Sequence, residues 1–233
     1  MSCYTLELGE KLDIIYEGLG ARLASEFYIP LLKRTQSYSR VSGYFSVDSL
    51  VIVATGLAGL IKNGGRMRLL VGMHDVSPEL IEAYKLSRVK AKEILDEFGM
   101  KLSRDLENVA DEISRRRIEA LAWMLANGTL EVKVAMPKKT FLGLGNGIFH
   151  EKLMIFKDFD GCVVAAAGSA NETRLAYEVN GENLTVHMSW REGHLEYIRR
   201  YMDRFEALWE DRHPDYVVFN LPEVVEKKLK EKF

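Results

Sequence analysis

His150 and Lys152, one residue apart, and the Gly168-Ser169-Ala170-Asn171 turn that follows them bring an imidazole, an ammonium, a hydroxyl and a carboxamide within one hairpin's length of chain. On a β-strand residues i and i+2 share a face, so His150 and Lys152 project together while Glu151 points away. Leu153-Met154-Ile155-Phe156 is the unbroken apolar run of a strand buried on both faces, which would hold the pair rigidly. A second apolar run, Cys162 to Ala167, lies beside it after the Lys157–Gly161 turn. It ends in Gly168-Ser169, a bend that carries Ser169 and Asn171 back toward His150 and Lys152. A nucleophilic imidazole among such donors suits an oxyanion such as phosphate. The chain shows no Cys/His spacing for a zinc site, and neither metal nor cofactor is expected.

The order of these residues resembles the phospholipase D superfamily, whose signature is a His-x-Lys strand followed by a Gly-Ser-x-Asn turn. Upstream, Arg40-Val41-Ser42-Gly43-Tyr44-Phe45-Ser46, an apolar helix and Met67-Arg68-Leu69-Leu70-Val71-Gly72 look like the first strand–helix–strand of that fold. Downstream, Asn171-Glu172-Thr173 and Asn180-Gly181-Glu182-Asn183-Leu184-Thr185-Val186 look like its nuclease branch. The family places an aspartate five residues after the lysine; here that position is Lys157, with Asp158 one later and on the opposite face of a regular strand. Glu182 is therefore the expected partner that orients His150. The resemblance implies an α/β fold, a mixed β-sheet flanked by helices on both faces. It also implies catalytic roles for His150, Lys152, Asn171 and Glu182 and phosphate contact for Ser169. Phospholipase D-type chemistry uses two histidines, and the chain carries one His-x-Lys. A homodimer with the site at its two-fold interface is implied.

The 233 residues can bury one sizeable core. Hydrophobic content of 47% with 28% charged residues belongs to a globular chain and excludes a disordered one. No apolar run approaches the roughly 20 residues of a membrane span, so no membrane partner is expected. Cys3 and Cys162 lie far apart in sequence, which argues against a structural disulfide and for a cytoplasmic protein. A net charge of −2 gives no global attraction for nucleic acid, so binding must come from local patches. Lys138 and Lys139, in the Gly-rich stretch before His150, and Arg115 in the Arg115-Arg116-Arg117 run near Arg104, are the candidate phosphate-backbone contacts.

The elements that must position these groups read as follows. Ala21 to Thr35 is a helix, Ser39 to Phe45 a strand, and Ser49 to Lys62 a helix stopped by Asn63-Gly64-Gly65. Met67 to Gly72 is a strand parallel to the first. Pro78 to Ala126 is a helical insertion broken at Gly99, with Leu106, Val109, Ile113, Leu121 and Met124 on one face. Thr129 to Met136 and Asn183 to Met188 are strands, 137–149 is a loop, and Leu195 to Trp209 is an amphipathic helix. The domain is expected to span 1–212, with 213–233 a tail or linker. Leu221-Pro222-Glu223 resembles the segment that leads into a superfamily 2 helicase motor in related proteins.

Two functions follow as expectations. One is a metal-independent nuclease, with DNA ahead of RNA as substrate, free-standing or attached to a helicase motor. The other is a non-catalytic phosphate- or nucleic-acid-binding module of such a motor, which the displaced aspartate favours.

Overall fold

A computed structural model describes residues 8, 9, 11–73, 77–89 and 113–222. Strand β1 (Ile15–Leu19) runs into a helix over 20–32, α1, whose middle, Leu23–Tyr28, is wound as a π-helix. Strand β2 (Ser37–Ser42) follows, then helices α2 (Val47–Ile52) and α3 (Ala54–Lys62) and strand β3 (Arg66–Gly72). Helices α4 (Pro78–Val89) and α5 (Arg117–Ala126) connect β3 to β4 (Leu130–Pro137). A short helix, α6 (Lys138–Phe141), precedes the hairpin β5 (Leu153–Lys157) and β6 (Val163–Gly168). Helix α7 (Arg174–Glu178), strand β7 (Gly181–Met188), helix α8 (Leu195–Trp209) and strand β8 (Tyr216–Asn220) complete the described chain.

The strands form one eight-stranded sheet in the order β1-β7-β6-β5-β2-β3-β4-β8. The β2/β3 and β3/β4 pairs are parallel; β1/β7, β7/β6, β6/β5, β5/β2 and β4/β8 are antiparallel. This is the mixed sheet of an α/β fold, and both its faces are covered. Alternation along each strand divides the core in two. Leu69, Val71, Met154 and Phe156 enter the larger core with Phe27, Leu57 and Tyr177. Val41, Leu70, Leu153 and Ile155 enter the other, beneath Ile198, Phe205 and Leu208 of α8.

Several expectations meet a different structure. The helix over 49–62 is two pieces, because Val53 leaves helical geometry at φ −98, ψ 16 between α2 and α3. The stretch 78–126 includes α4 and α5, which pack on each other and link two parallel strands, so the described part works as a crossover. Gly99, Arg104, Leu106 and Val109 lie outside the described residues. The expected tail from 213 begins by joining the sheet: β8 pairs with β4 from Lys133↔Asn220 to Pro137↔Tyr216. Cys162 is disulfide-bonded, contrary to expectation. That bond removes the ground on which the sequence argued for the cytoplasm. Among the described residues no helix is long and apolar enough to cross a membrane.

Candidate active site

Strand directions decide which chain ends meet. Because β2/β5, β5/β6 and β6/β7 are antiparallel, one end of the sheet collects the exit of β2, the approach to β5, the exit of β6 and the start of β7. Those four segments carry Gly43–Phe45, His150–Lys152, Ser169–Asn171 and Glu182.

His150 and Lys152 sit in an extended segment just before β5. The His150 ring is exposed and meets Tyr44 edge-on, with centroids 5.6 Å apart and planes at 80°. The β2 exit comes this close because residue 43 is glycine: a Cβ there would stand 2.9 Å from His150 Cδ2. Lys152 Nζ donates to the His150 carbonyl at 3.1 Å. Partial burial lowers the Lys152 pKa, the positive charge of Arg40 lowers it further, and Glu182 opposes both. Glu151 turns the other way, as alternation requires, and accepts from Arg204 Nε of α8 at 2.9 Å.

Ser169 fastens the β6 exit to β7. Its hydroxyl donates to Glu182 Oε2 and accepts from the Asn183 N–H at 3.0 Å, while its own N–H donates to the Asn183 carbonyl at 3.1 Å. Gly168 permits this approach, since a Cβ there would stand 2.0 Å from the Asn183 carbonyl oxygen. Glu182 is buried, and Asn180 Nδ2 donates to its Oε1 at 3.3 Å. Both carboxylate oxygens are thus engaged, one by Ser169 and one by Asn180. Asn171 Oδ1 accepts from the Tyr44 N–H at 3.2 Å, so the NH2 end of its amide is the end left to meet an anion.

Beneath this floor lies a group that the sequence reading quoted but gave no role. Arg40, fully buried on β2, donates through Nε to Glu172 Oε2 at 2.7 Å and through Nη2 to the Ala170 carbonyl at 2.7 Å. Tyr177 OH donates to the other Glu172 oxygen at 2.7 Å. Burial acts to lower the Arg40 pKa, but the oxygens of Tyr28, Tyr38 and Glu172 outweigh it and the guanidinium stays charged. The Glu172 backbone is zipped to the β2 exit: its N–H donates to Ser42 Oγ at 2.7 Å, and its carbonyl accepts from Ser46 N–H at 2.8 Å. An arginine inside a strand otherwise built for burial was the available signal, because an unpaired charge there is prohibitively costly.

The other candidates fall around the same end. Lys138 and Lys139 lie on α6, directly after the exit of β4, which runs parallel to β2 through β3. Arg115 is exposed just ahead of α5, whose Arg117 pairs at 3.0 Å with Asp48 on α2. Asp158, the shifted aspartate, is buried at the far end of β5 and accepts from the Asp160 and Cys162 N–H groups, capping the hairpin turn. Phe45 is core, whereas Tyr44 contacts the imidazole. Among the described residues no three His, Cys, Asp or Glu side chains come together as a metal ligand set.

The sheet, with helices on both faces, brings the His-x-Lys segment and the Ser-x-Asn turn to one end. A family profile described as cardiolipin synthase, PLD-like domain, matches residues 28–209, and the chain belongs to that phospholipase D-like family. Among solved structures, NucT from Helicobacter pylori aligns with a TM-score of 0.52 at 15% identity, covering 88% of this chain and 97% of that one. Nuc from Salmonella typhimurium, a phospholipase D family member, aligns with a TM-score of 0.47 at 13% identity over 84% of this chain and 93% of that one. Phosphatidylserine synthase from Haemophilus influenzae aligns at 0.45 and 14% identity, over 94% of this chain and 44% of the other. Sequence comparison with curated proteins finds no match.

Proposed function

We propose that the chain is a metal-independent phosphodiesterase that cleaves nucleic acid through a phosphohistidine intermediate, in a site completed by a second copy. The observation that carries this reading is the convergence of His150, Lys152, Ser169, Asn171 and Glu182 on one end of the sheet. A neutral His150 imidazole attacks phosphorus, the bond to the leaving oxygen breaks, and a protonated His150 from the second copy gives that oxygen its proton. Water then attacks the phosphohistidine, returns a proton to the second histidine and frees the first. Histidine suits both parts because its ordinary pKa, about 6.5, lets neutral and charged forms coexist near neutrality. Lys152 and Asn171 hold the charge that develops on the phosphoryl oxygens. Glu182, carrying the Ser169 hydrogen bond, fixes the turn, and Lys138, Lys139 and Arg115 guide the backbone of the nucleic acid. The Asn171-Glu172-Thr173 element and these basic groups support nucleic acid over lipid, with DNA ahead of RNA. The Leu221-Pro222-Glu223 resemblance supports attachment to a helicase motor.

A second reading, a phosphate-gripping module without catalysis, is favoured by Lys157 standing where the family has aspartate and by the modest net charge of −2. Cleavage of labelled single- and double-stranded DNA and RNA in EDTA, with His150→Ala alongside, separates the two. Cleavage lost in the variant is the expected result. Retained cleavage in the variant overturns the phosphohistidine route, and binding without cleavage by the unaltered protein selects the module.

A further inference from the structure

We infer that the buried Arg40–Glu172 pair is the positioning device that sets the Asn171 carboxamide for the phosphoryl group, with Arg40 bridging the residues on either side of it. The inference rests on the reading of Asn171 as a phosphate donor. Asn171 is flanked by Ala170 and Glu172, and Arg40 holds one through its carbonyl and the other through its carboxylate, both at 2.7 Å. Two contacts from one rigid plane, on opposite sides of a residue, leave that residue's backbone little freedom to rotate. The Asn171 amide is then fixed from the far side by the Tyr44 N–H, and Tyr44 belongs to the β2 exit whose strand carries Arg40. One strand therefore supplies both ends of the clamp.

Stability alone does not account for the pair. A buried ion pair gains little over apolar residues of similar volume, because desolvation offsets the attraction. The Arg40 and Glu172 side chains are 0% and 3% exposed. Nη1 of Arg40 is buried with no hydrogen-bond partner among the described residues, so the guanidinium has a surplus donor that shape-filling would not call for. Lysine at this position would keep the charge and fill the strand, but a single ammonium has no planar fork to span both acceptors.

The test compares Arg40→Lys and Glu172→Gln with the unaltered protein. The first readout is the NMR signal of the Asn171 side-chain amide during titration with inorganic phosphate. The second is kcat and KM for oligonucleotide cleavage in EDTA. Expected is a folded Arg40→Lys protein whose Asn171 amide signal is displaced and whose phosphate affinity is weakened. Its kcat is expected to fall about 10- to 100-fold with KM little changed, the signature of a misplaced rather than a missing group. If Arg40→Lys does not fold, the isosteric Glu172→Gln carries the same comparison. A folded variant whose amide signal, phosphate affinity and kcat all match the unaltered protein overturns the clamp. If the unaltered protein binds phosphate at Asn171 but cleaves nothing, the nuclease reading fails and the displaced amide signal alone decides the clamp. If phosphate leaves the Asn171 amide unmoved in the unaltered protein, Asn171 is no phosphate donor and the clamp falls, whatever the cleavage rate.

Discussion

Two arginine–glutamate pairs hold the candidate site from opposite sides, with the same chemistry and contrary surroundings. Arg40–Glu172 lies under the site with side chains 0% and 3% exposed; Arg204–Glu151 lies at its rim with side chains 45% and 20% exposed. The rim pair docks the His150–Lys152 segment onto α8 through Glu151, in contact with water that competes for both charges. The floor pair has no such competitor, and its guanidinium fixes backbone as well as carboxylate. The contrast assigns the two sides different tasks. On the proposed mechanism, the rim carries the imidazole that attacks and can tolerate motion, while the floor sets the geometry of the groups that would receive charge.

The largest expected effect breaks the rim without touching the floor. His150→Ala should abolish cleavage while thermal unfolding stays as in the unaltered protein; a residual rate near the original would remove the histidine from the chemistry. Next in size, Arg40→Met strands the Glu172 carboxylate in the core and should cost about 3–5 kcal/mol by denaturant unfolding. The double replacement Arg40→Met with Glu172→Leu sharpens the point. Stability should return to within about 1–2 kcal/mol of the original, because apolar pairs replace buried ion pairs at little cost, while kcat stays low. Recovery of rate along with stability would reduce the floor pair to packing. Smaller again is the pH response of Lys152, whose pKa lies below the ordinary lysine value. In the proposed mechanism the ammonium is the working form, so its contribution is complete below that lowered pKa and lost as pH rises through it. The alkaline limb of the rate profile should therefore fall at a lower pH than free lysine titrates. Arg40→Lys keeps a positive charge nearby and should leave that limb unmoved even as kcat drops. The smallest effect belongs to Arg204→Ala, expected to cost no more than about 1 kcal/mol.

The same contrast explains what the sequence made legible. The rim was open to reading because it is local: His150 and Lys152 stand one residue apart, and two-residue periodicity put Glu151 on the face where Arg204 meets it. The β5–β6 hairpin and α8 were equally legible, since Leu153–Phe156 and the Ile198, Tyr201, Phe205, Leu208 spacing report burial directly. In the floor, the buried-strand setting of Arg40 was legible but its partner was not, because Arg40 meets Glu172 across 132 residues and nothing local at either position names the other. Glu182 was read as the partner of His150, whereas its hydrogen bonds run to Ser169 and Asn180. Strand β1 escaped notice because Tyr16 is its single buried residue, and β8 because its side chains are half-exposed without alternation.

The place of β8 bears on how this protein can be cut. Its five residues lie past Arg212, where the sequence suggested that a folded unit would end, yet they occupy the open side of β4 from Lys133 to Pro137. A chain stopped at 212 would bare that row of N–H and C=O groups along Val134 and Ala135, a ready template for another copy's strand. Such a truncation would trade a covered edge for a sticky one, and its association would be easily mistaken for the dimer proposed above.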